Sequence, residues 1–209
     1  MPQPRSLKIA EIFASVQGEG LRQGEPTIFV RLSGCNLRCS FCDTKYTWTG
    51  GQTLAIADIV ARIEIIGKHF PAEWVCLTGG EPMLQAVGGL ASALKKAGWK
   101  VQVETNGTVF KPIVADWWTV SPKPKEYLVR PGFRPRAREV KLIVTRGMTF
   151  SVIEKVRKEF PPATPILLQP ESNAAWSVAK SLRLINRAVR AHIRNIRLSV
   201  QLHKIFRVR

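Results

Sequence analysis

The chain has 209 residues, of which 45% are hydrophobic and 22% charged, and this composition excludes disordered, collagen-like and coiled-coil proteins. No run reaches the ~18 apolar residues of a membrane span, and the first residues lack a secretory-signal pattern, so we expect a cytoplasmic protein without membrane segments. The net charge is +17, from 32 basic and 15 acidic side chains. Such an excess is a candidate signal for a polyanionic partner.

Short apolar runs alternate with segments of helical periodicity along the chain. Strands are predicted at 26–32, 74–77, 100–104, 117–120, 139–144 and 166–169, and helices at 56–70, 84–97 and 151–159. This alternation favours parallel βαβ units, and about six strands are fewer than the eight of a closed barrel. The sequence therefore predicts one α/β domain over residues 1–209 with an open, curved parallel sheet.

The basic excess lies in the second half of the chain. Residues 1–104 carry 11 basic and 9 acidic side chains, whereas residues 105–209 carry 21 and 6. Arginines recur every three or four residues, with apolar residues between them: Arg183, Arg187, Arg190, Arg194 and Arg197 alternate with Leu182, Ile185, Val189, Ile193 and Ile196. The pattern predicts an amphipathic helix whose apolar residues face the core and whose basic face is either solvated or bound to a polyanion.

Three cysteines occur in one short loop, directly after the first predicted strand. Residues 34–43 read GCNLRCSFCD, so Cys35, Cys39 and Cys42 form a C-x3-C-x2-C pattern. A structural zinc site takes four ligands, and the fourth cysteine, Cys76, lies in an apolar run typical of a buried strand. Three thiolates suit an iron–sulfur cluster with one open iron, while a zinc site completed by His69 or by a partner chain is an alternative.

The cysteine loop resembles the cluster motif of the radical S-adenosylmethionine (SAM) enzymes, with Phe41 at its aromatic position. Three segments that follow predicted strands agree with this family: TGGEP at 78–82, ETNG at 104–107 and SPK at 121–123. The resemblance implies a partial, open parallel β/α barrel of the radical SAM type. It also implies a 4Fe-4S cluster on the three cysteines, SAM on the open iron, and cleavage of SAM by one electron to a 5′-deoxyadenosyl radical.

The same resemblance assigns residues to SAM. They are Phe41, Gly79, Gly80, Glu81, Glu104, Ser121, Pro122 and Lys123, together with the later segment Gln169, Pro170, Glu171 and Ser172. Adjacent glycines let backbone carbonyls approach the ammonium group of SAM, and Glu81 supports that cationic end. Ser121 and Lys123 supply donors for its ribose and carboxylate.

Two further segments resemble one subfamily, the 7-carboxy-7-deazaguanine synthases: EIFASVQGEG at 11–20, followed by Arg31, and RLSVQLHK at 197–204. The resemblance implies ring contraction of 6-carboxy-5,6,7,8-tetrahydropterin with loss of ammonia, in 7-deazapurine (queuosine-type) biosynthesis, with SAM regenerated in each turnover. It places the pterin against Val16, Gln17, Gly18, Glu19, Arg31, Thr78, His203 and Arg209, and Mg²⁺ on Thr44.

On this interpretation residues 1–34 bind substrate, residues 35–44 hold the cluster and magnesium, and residues 180–209 form a basic helix and strand. The Glu19 carboxylate accepts from the amino and ring N–H groups of the pterin, and the planar fork of Arg31 suits its carboxylate.

The resemblance also implies an electron donor such as flavodoxin or ferredoxin, and we expect a homodimer because an open barrel buries its exposed side against another copy. Two alternatives remain: a radical SAM activating enzyme that acts on a partner protein, and a basic zinc or nucleic-acid-binding module. Because most of the motifs lie in the nearly neutral first half of the chain, they argue against a nucleic-acid partner.

Overall fold

The computed structural model describes residues 5–208, and the chain divides into two compact units. Among the described residues, one unit comprises residues 5–16, 25–105 and 109–118, and the other comprises residues 17–24, 106–108 and 119–208. Within residues 5–208, no helix is both long enough and apolar enough to span a bilayer.

The first unit is built on a mixed sheet. Its elements are β1 (Ser6–Val16), β2 (Pro26–Leu32), β3 (Gln52–Ala55), α1 (Ile56–His69), β4 (Trp74–Gly79), α2 (Gly88–Lys96) and β5 (Lys100–Thr105). The strand order is β3-β1-β2-β4-β5, in which β1 is antiparallel to both neighbours and β2, β4 and β5 are parallel. Helix α1 buries Ile59 and Ile63, one turn apart on the same face.

The second unit carries a parallel sheet in the order β6-β7-β8-β9. Its elements are β6 (Trp117–Val120, which begins in the first unit), β7 (Glu139–Val144), α3 (Phe150–Glu159), β8 (Ile166–Pro170), α4 (Ala175–Arg190), β9 (Ile196–Leu198) and α5 (Leu202–Phe206). Strand β8 is buried along its whole length, as expected for a strand in the middle of a parallel sheet.

The predicted α/β class with an open, largely parallel sheet is confirmed, since neither strand order closes on itself. All six strands predicted by alternation are present, and β9 is the strand expected within residues 180–209, whereas β1 and β3 were not predicted. In β1 the register shifts between Ile9 and Glu11, which interrupts the alternation of apolar and polar residues that identifies a strand. Helix α2 starts at Gly88 rather than at residue 84, because Pro82–Leu84 forms a short 3-10 helix.

The prediction for the C-terminal basic helix was partly wrong. Helix α4 ends at Arg190, so Arg194 and Arg197 lie beyond it. Its buried face consists of Ser177, Ser181, Leu184 and Ala188, whereas the predicted core residues Leu182 and Val189 are 48% and 67% exposed. The buried serines satisfy their hydroxyls on backbone carbonyls, those of Val144 and Ser177, so hydropathy does not mark this face.

Candidate active site

The cysteine loop follows β2 in the first unit. Cys35, Cys39 and Cys42 are half-buried, and none is in a disulfide. The Cys42 amide donates to the Cys39 carbonyl at 3.0 Å, and Arg38 adopts a left-handed conformation with φ 47°. Cys76 is fully buried in β4, as predicted. Three partly accessible thiols in one loop fit the thiolate ligands of an iron–sulfur cluster.

The two glycines at the end of β4 pack against the backbone that leads into this loop. A Cβ atom on Gly79 would lie 2.4 Å from the Leu32 carbonyl oxygen, and one on Gly80 would lie 2.0 Å from the Gly34 carbonyl oxygen. The Glu81 amide also donates to the Gly34 carbonyl at 2.7 Å. Glycine is therefore required at both positions for a structural reason, because no side chain fits between these backbones. This reason is separate from the SAM contact expected from sequence.

Two carboxylates assigned to SAM lie at the ends of β4 and β5. Glu81 is fully buried, and its Oε1 accepts from the Met83 amide at 3.0 Å and from the Thr105 hydroxyl at 2.7 Å. Glu104 is half-buried, and its Oε1 lies 3.8 Å from the Cys76 sulfur. Glu81 thus joins the turn after β4 to the end of β5. The residue that the resemblance assigns to SAM therefore also has a structural role.

Arg31 and Thr78 are cross-strand partners in the β2–β4 ladder. The Arg31 Nε lies 2.8 Å from Glu11 Oε1 as an ion pair, but the Nε–H is buried and makes no hydrogen bond within residues 5–208. The Tyr46 hydroxyl donates to the same Glu11 oxygen at 2.5 Å. Arg31 is therefore held in place by the Glu11 carboxylate. The Thr44 hydroxyl lies 3.5 Å from the Cys42 sulfur.

The QGEG loop belongs to the second unit, where both of its glycines pack tightly. A Cβ atom on Gly18 would lie 2.4 Å from His203 Nδ1, and one on Gly20 would lie 2.4 Å from Glu139 Oε1. Gly20 also has φ +77°, which glycine adopts without strain. Gln17 is 2% exposed, and its side-chain oxygen accepts from the Glu19 amide at 3.2 Å. This loop is a fixed element and not a mobile glycine-rich turn.

The Glu19 carboxylate pairs with two buried side chains. Lys141 donates to Oε2, and Gln201 donates to Oε1 at 2.8 Å. Burial by itself raises the pKa of Glu19, but the charge and hydrogen bond of Lys141, the Gln201 amide and the charge of His203 outweigh it and lower the pKa to about 2. Glu19 is therefore an anion and an acceptor at every working pH.

The second unit also contains the later residues assigned to SAM. Lys123 Nζ donates to the Ser121 hydroxyl at 2.5 Å, and that hydroxyl donates to the Lys141 carbonyl at 2.9 Å. Gln169 is 1% exposed, and its buried side-chain oxygen has no hydrogen-bond partner among the described residues. Ser172 is left-handed, with φ 52°, just after β8. An unpartnered buried acceptor fits a ligand that supplies the missing donor.

The remaining assigned residues have these positions: Val16 ends β1, Phe41 is half-buried in the cysteine loop, Pro122 is buried after β6, Pro170 ends β8 and Glu171 begins the following 3-10 helix. Arg209 lies outside the described residues.

Comparison with known proteins agrees with these motifs. Residues 29–119 match the model of the radical SAM superfamily. The chain is 52% identical over 109 residues to 7-carboxy-7-deazaguanine synthase of Methanospirillum hungatei, a match that spans 51% of the chain and 45% of that relative. It is 41% identical over 204 residues to the synthase of Bacteroides thetaiotaomicron, covering 97% of the chain and 98% of that relative.

The chain belongs to the 7-carboxy-7-deazaguanine synthase family. A crystal structure of QueE from Escherichia coli matches with a TM-score of 0.79 and 30% identity over 95% of each chain. The fold of this member of the synthase family is therefore the open radical SAM type that the resemblance implied.

The sequence analysis did not identify two residues of β7 that bind the QGEG loop of this synthase family member. They are Glu139, which accepts from the Leu21 amide, and Lys141, which donates to Glu19. Both are almost fully buried, at 1% and 4% exposure. A signal was present, because charged residues at alternate positions of an otherwise apolar strand share one face and are seldom buried without a partner. The sequence did not show which residue that partner is.

Proposed function

We propose that this chain catalyses the ring contraction of 6-carboxy-5,6,7,8-tetrahydropterin to 7-carboxy-7-deazaguanine with loss of ammonia, as a step of 7-deazapurine biosynthesis. The observation that carries the proposal is the similarity to a named synthase along 97% of the chain. Membership of the radical SAM superfamily brings a 4Fe-4S cluster and SAM, which supply the radical chemistry when bound.

For the cluster we assign Cys35, Cys39 and Cys42, because they are accessible whereas Cys76 is not. For SAM we assign the turns after the parallel strands, and the unpartnered Gln169 oxygen supports that choice. For magnesium we assign the Thr44 hydroxyl, since magnesium takes hard oxygen ligands and keeps few of them from the protein.

For the substrate we assign Arg31 to the carboxylate and Glu19 to the amino and ring N–H groups. The Glu11 ion pair that fixes the partly exposed Arg31 side chain supports the first assignment, and the ionised Glu19 supports the second. Thr78 borders Arg31 in the sheet, and His203 borders the QGEG loop. These residues bind and orient the pterin, and they exclude water from the reacting carbon.

The test of function is an anaerobic turnover of reconstituted protein with SAM, magnesium, a reductant and the carboxytetrahydropterin. We expect wild type to form one ammonia for each 7-carboxy-7-deazaguanine. Cys76→Ala is expected to form as much product as wild type, and Cys39→Ala to form none. Absence of product from wild type carrying a full cluster refutes the proposal. Zinc without acid-labile sulfide instead favours the zinc-binding alternative.

We further propose that the chain acts as a cytoplasmic homodimer and takes its electron from an acidic flavodoxin or ferredoxin that docks on α4. Arg183, Arg187 and Arg190 are exposed there, and residues 180–209 contain no acidic side chain. Replacing the three arginines by glutamine is expected to slow flavodoxin-driven turnover while leaving dithionite-driven turnover unchanged. Equal slowing of both contradicts docking at this helix.

A further inference from the structure

Two side chains that are far apart in the sequence of the second unit donate hydrogen bonds to the two carboxylate oxygens of Glu19. Lys141 on β7 donates to Oε2, and Gln201, just before α5, donates to Oε1 at 2.8 Å. The side chain of Lys141 is 6% exposed, and that of Glu19 keeps 16% of its surface exposed. The carboxylate is thus held from within the protein and still presents a surface to a ligand.

Each of these side chains is itself fixed. The Asn173 side chain brackets the Gln201 backbone, accepting from its amide at 3.0 Å and donating to its carbonyl at 2.8 Å. Lys141 lies inside β7, in register with Leu167 of β8, and its carbonyl accepts from the Ser121 hydroxyl. Both donors therefore extend toward Glu19 from backbone positions that are fixed by hydrogen bonds.

The backbone around Glu19 is fixed as well. The Leu21 amide donates to Glu139 Oε2 at 2.6 Å, and the Leu202 amide donates to the Gly18 carbonyl at 2.8 Å. The loop is therefore tied on both sides of Glu19, to β7 and to the segment that enters α5. The direction of the carboxylate is therefore set within the protein, by two side-chain donors and by two hydrogen bonds that fix the loop backbone.

Stability alone does not explain this arrangement. A buried ion pair contributes little net stability compared with apolar side chains of the same size, because both charges lose their hydration. What the arrangement does provide is a charge-paired acceptor whose direction is fixed by two donors of the protein. A fixed buried acceptor selects strongly for a ligand with N–H donors, since a ligand without them leaves the acceptor unpaired.

From these contacts we propose that Lys141 and Gln201 are positioning residues that determine specificity: through Glu19 they make the site select a pterin with an amino group and a ring N–H. The inference rests on the proposed function, because it takes the pterin as the ligand of Glu19. Lys141 and Gln201 do not touch the substrate, and they act on it only through the carboxylate they hold.

The experiment compares binding of the carboxytetrahydropterin with binding of its analogue lacking the 2-amino group, by calorimetry in the presence of SAM. Wild type is expected to prefer the amino compound by about tenfold to hundredfold, the range for one hydrogen bond to a charged group. In Lys141→Met and in Gln201→Leu this preference is expected to fall to about threefold or less. SAM binding should stay unchanged in both variants.

Lys180→Met is the matched control, because Lys180 is also a lysine held by protein oxygens, the carbonyls of Thr145 and Arg146, and does not contact Glu19. It is expected to keep the full preference. A double-variant cycle adds a second readout: in a Glu19→Gln background, Gln201→Leu should change the preference no further. If Gln201 has only a structural role, Gln201→Leu should lower the affinity for both compounds equally, and by the same factor in wild type and in Glu19→Gln.

Retention of the wild-type preference by a folded Gln201→Leu overturns the inference, and this variant keeps the test decisive if Lys141→Met does not fold. Failure of the proposed function looks different, because wild type then makes no product and binds neither pterin. If wild type makes product but shows no preference between the two compounds, only the specificity inference is wrong.

Discussion

Replacing Gly80 by alanine tests whether the end of β4 holds the cluster loop through backbone contact. The new Cβ would lie 2.0 Å from the Gly34 carbonyl oxygen and 2.6 Å from its carbonyl carbon. Ordinary contact distances are about 3.5 Å, so the two backbones must separate by at least about 1 Å. Because Gly34 precedes Cys35, this separation moves the first cluster ligand.

The structure also gives the size of the effect. Overpacking of this kind costs roughly 1–3 kcal/mol. The separation also breaks the 2.7 Å hydrogen bond from the Glu81 amide to the Gly34 carbonyl, which adds about 1 kcal/mol. Gly80→Ala should therefore lower the free energy of unfolding by about 2–4 kcal/mol.

Urea titration of the cluster-free protein measures this loss, and iron and acid-labile sulfide after reconstitution measure the displacement of the loop. Gly147→Ala is the matched control, since no atom lies within 4 Å of its added Cβ, and it should change stability by less than about 0.5 kcal/mol. If Gly80→Ala and Gly147→Ala agree in stability and in iron content, the backbone contact does not position the loop.

Three further predictions concern the core, the acid response and the cluster. Phe133 is fully buried in the proline-rich segment between β6 and β7, so Phe133→Ala should cost about 3–5 kcal/mol in urea titration, and a loss below about 1 kcal/mol contradicts a core role. The Glu19 pKa of about 2 lies below its ordinary 4.5, so its ionised form contributes roughly 3 kcal/mol at neutral pH, lost as the pH falls from 4.5 toward 2. Urea titrations at fixed pH should show the stability advantage over Glu19→Gln narrowing across that range, and a constant advantage contradicts the assignment. Cys35→Ala should lose cluster iron after reconstitution while Cys76→Ala keeps it, and equal iron in both refutes the ligand assignment.

The extent to which sequence predicted the fold follows from the kind of signal each element carries. Strands β7 and β8 are short, mainly apolar runs between loops, and such runs can be recognised as strands from the sequence alone. Strand β1 did not, because its bulge interrupts the alternating pattern. The buried face of α4 did not either, because Ser177 and Ser181 are polar residues whose hydroxyls are satisfied by backbone carbonyls.

The candidate site divides in the same way. The cysteine spacing and the QGEG and TGGEP segments are contiguous in the chain, and contiguous motifs are visible without a structure. Glu139 and Lys141 are visible in the sequence as charged residues within an otherwise apolar strand. The sequence does not show that they bind the QGEG loop. The glycines were visible as turn residues, and only the structure showed that Gly18, Gly20 and Gly80 are each closed in by a neighbouring atom.

By itself the sequence determined the chemistry available to this protein, because the identities and spacing of its thiols and of its strand-end motifs are local properties of the chain. Only the tertiary structure decided the partners of Glu19. Lys141 is 122 residues away along the chain and Gln201 is 182 residues away, and both reach one carboxylate. Which side chains meet across such separations depends on strand order and register, and these follow from packing of the whole core and not from any one segment.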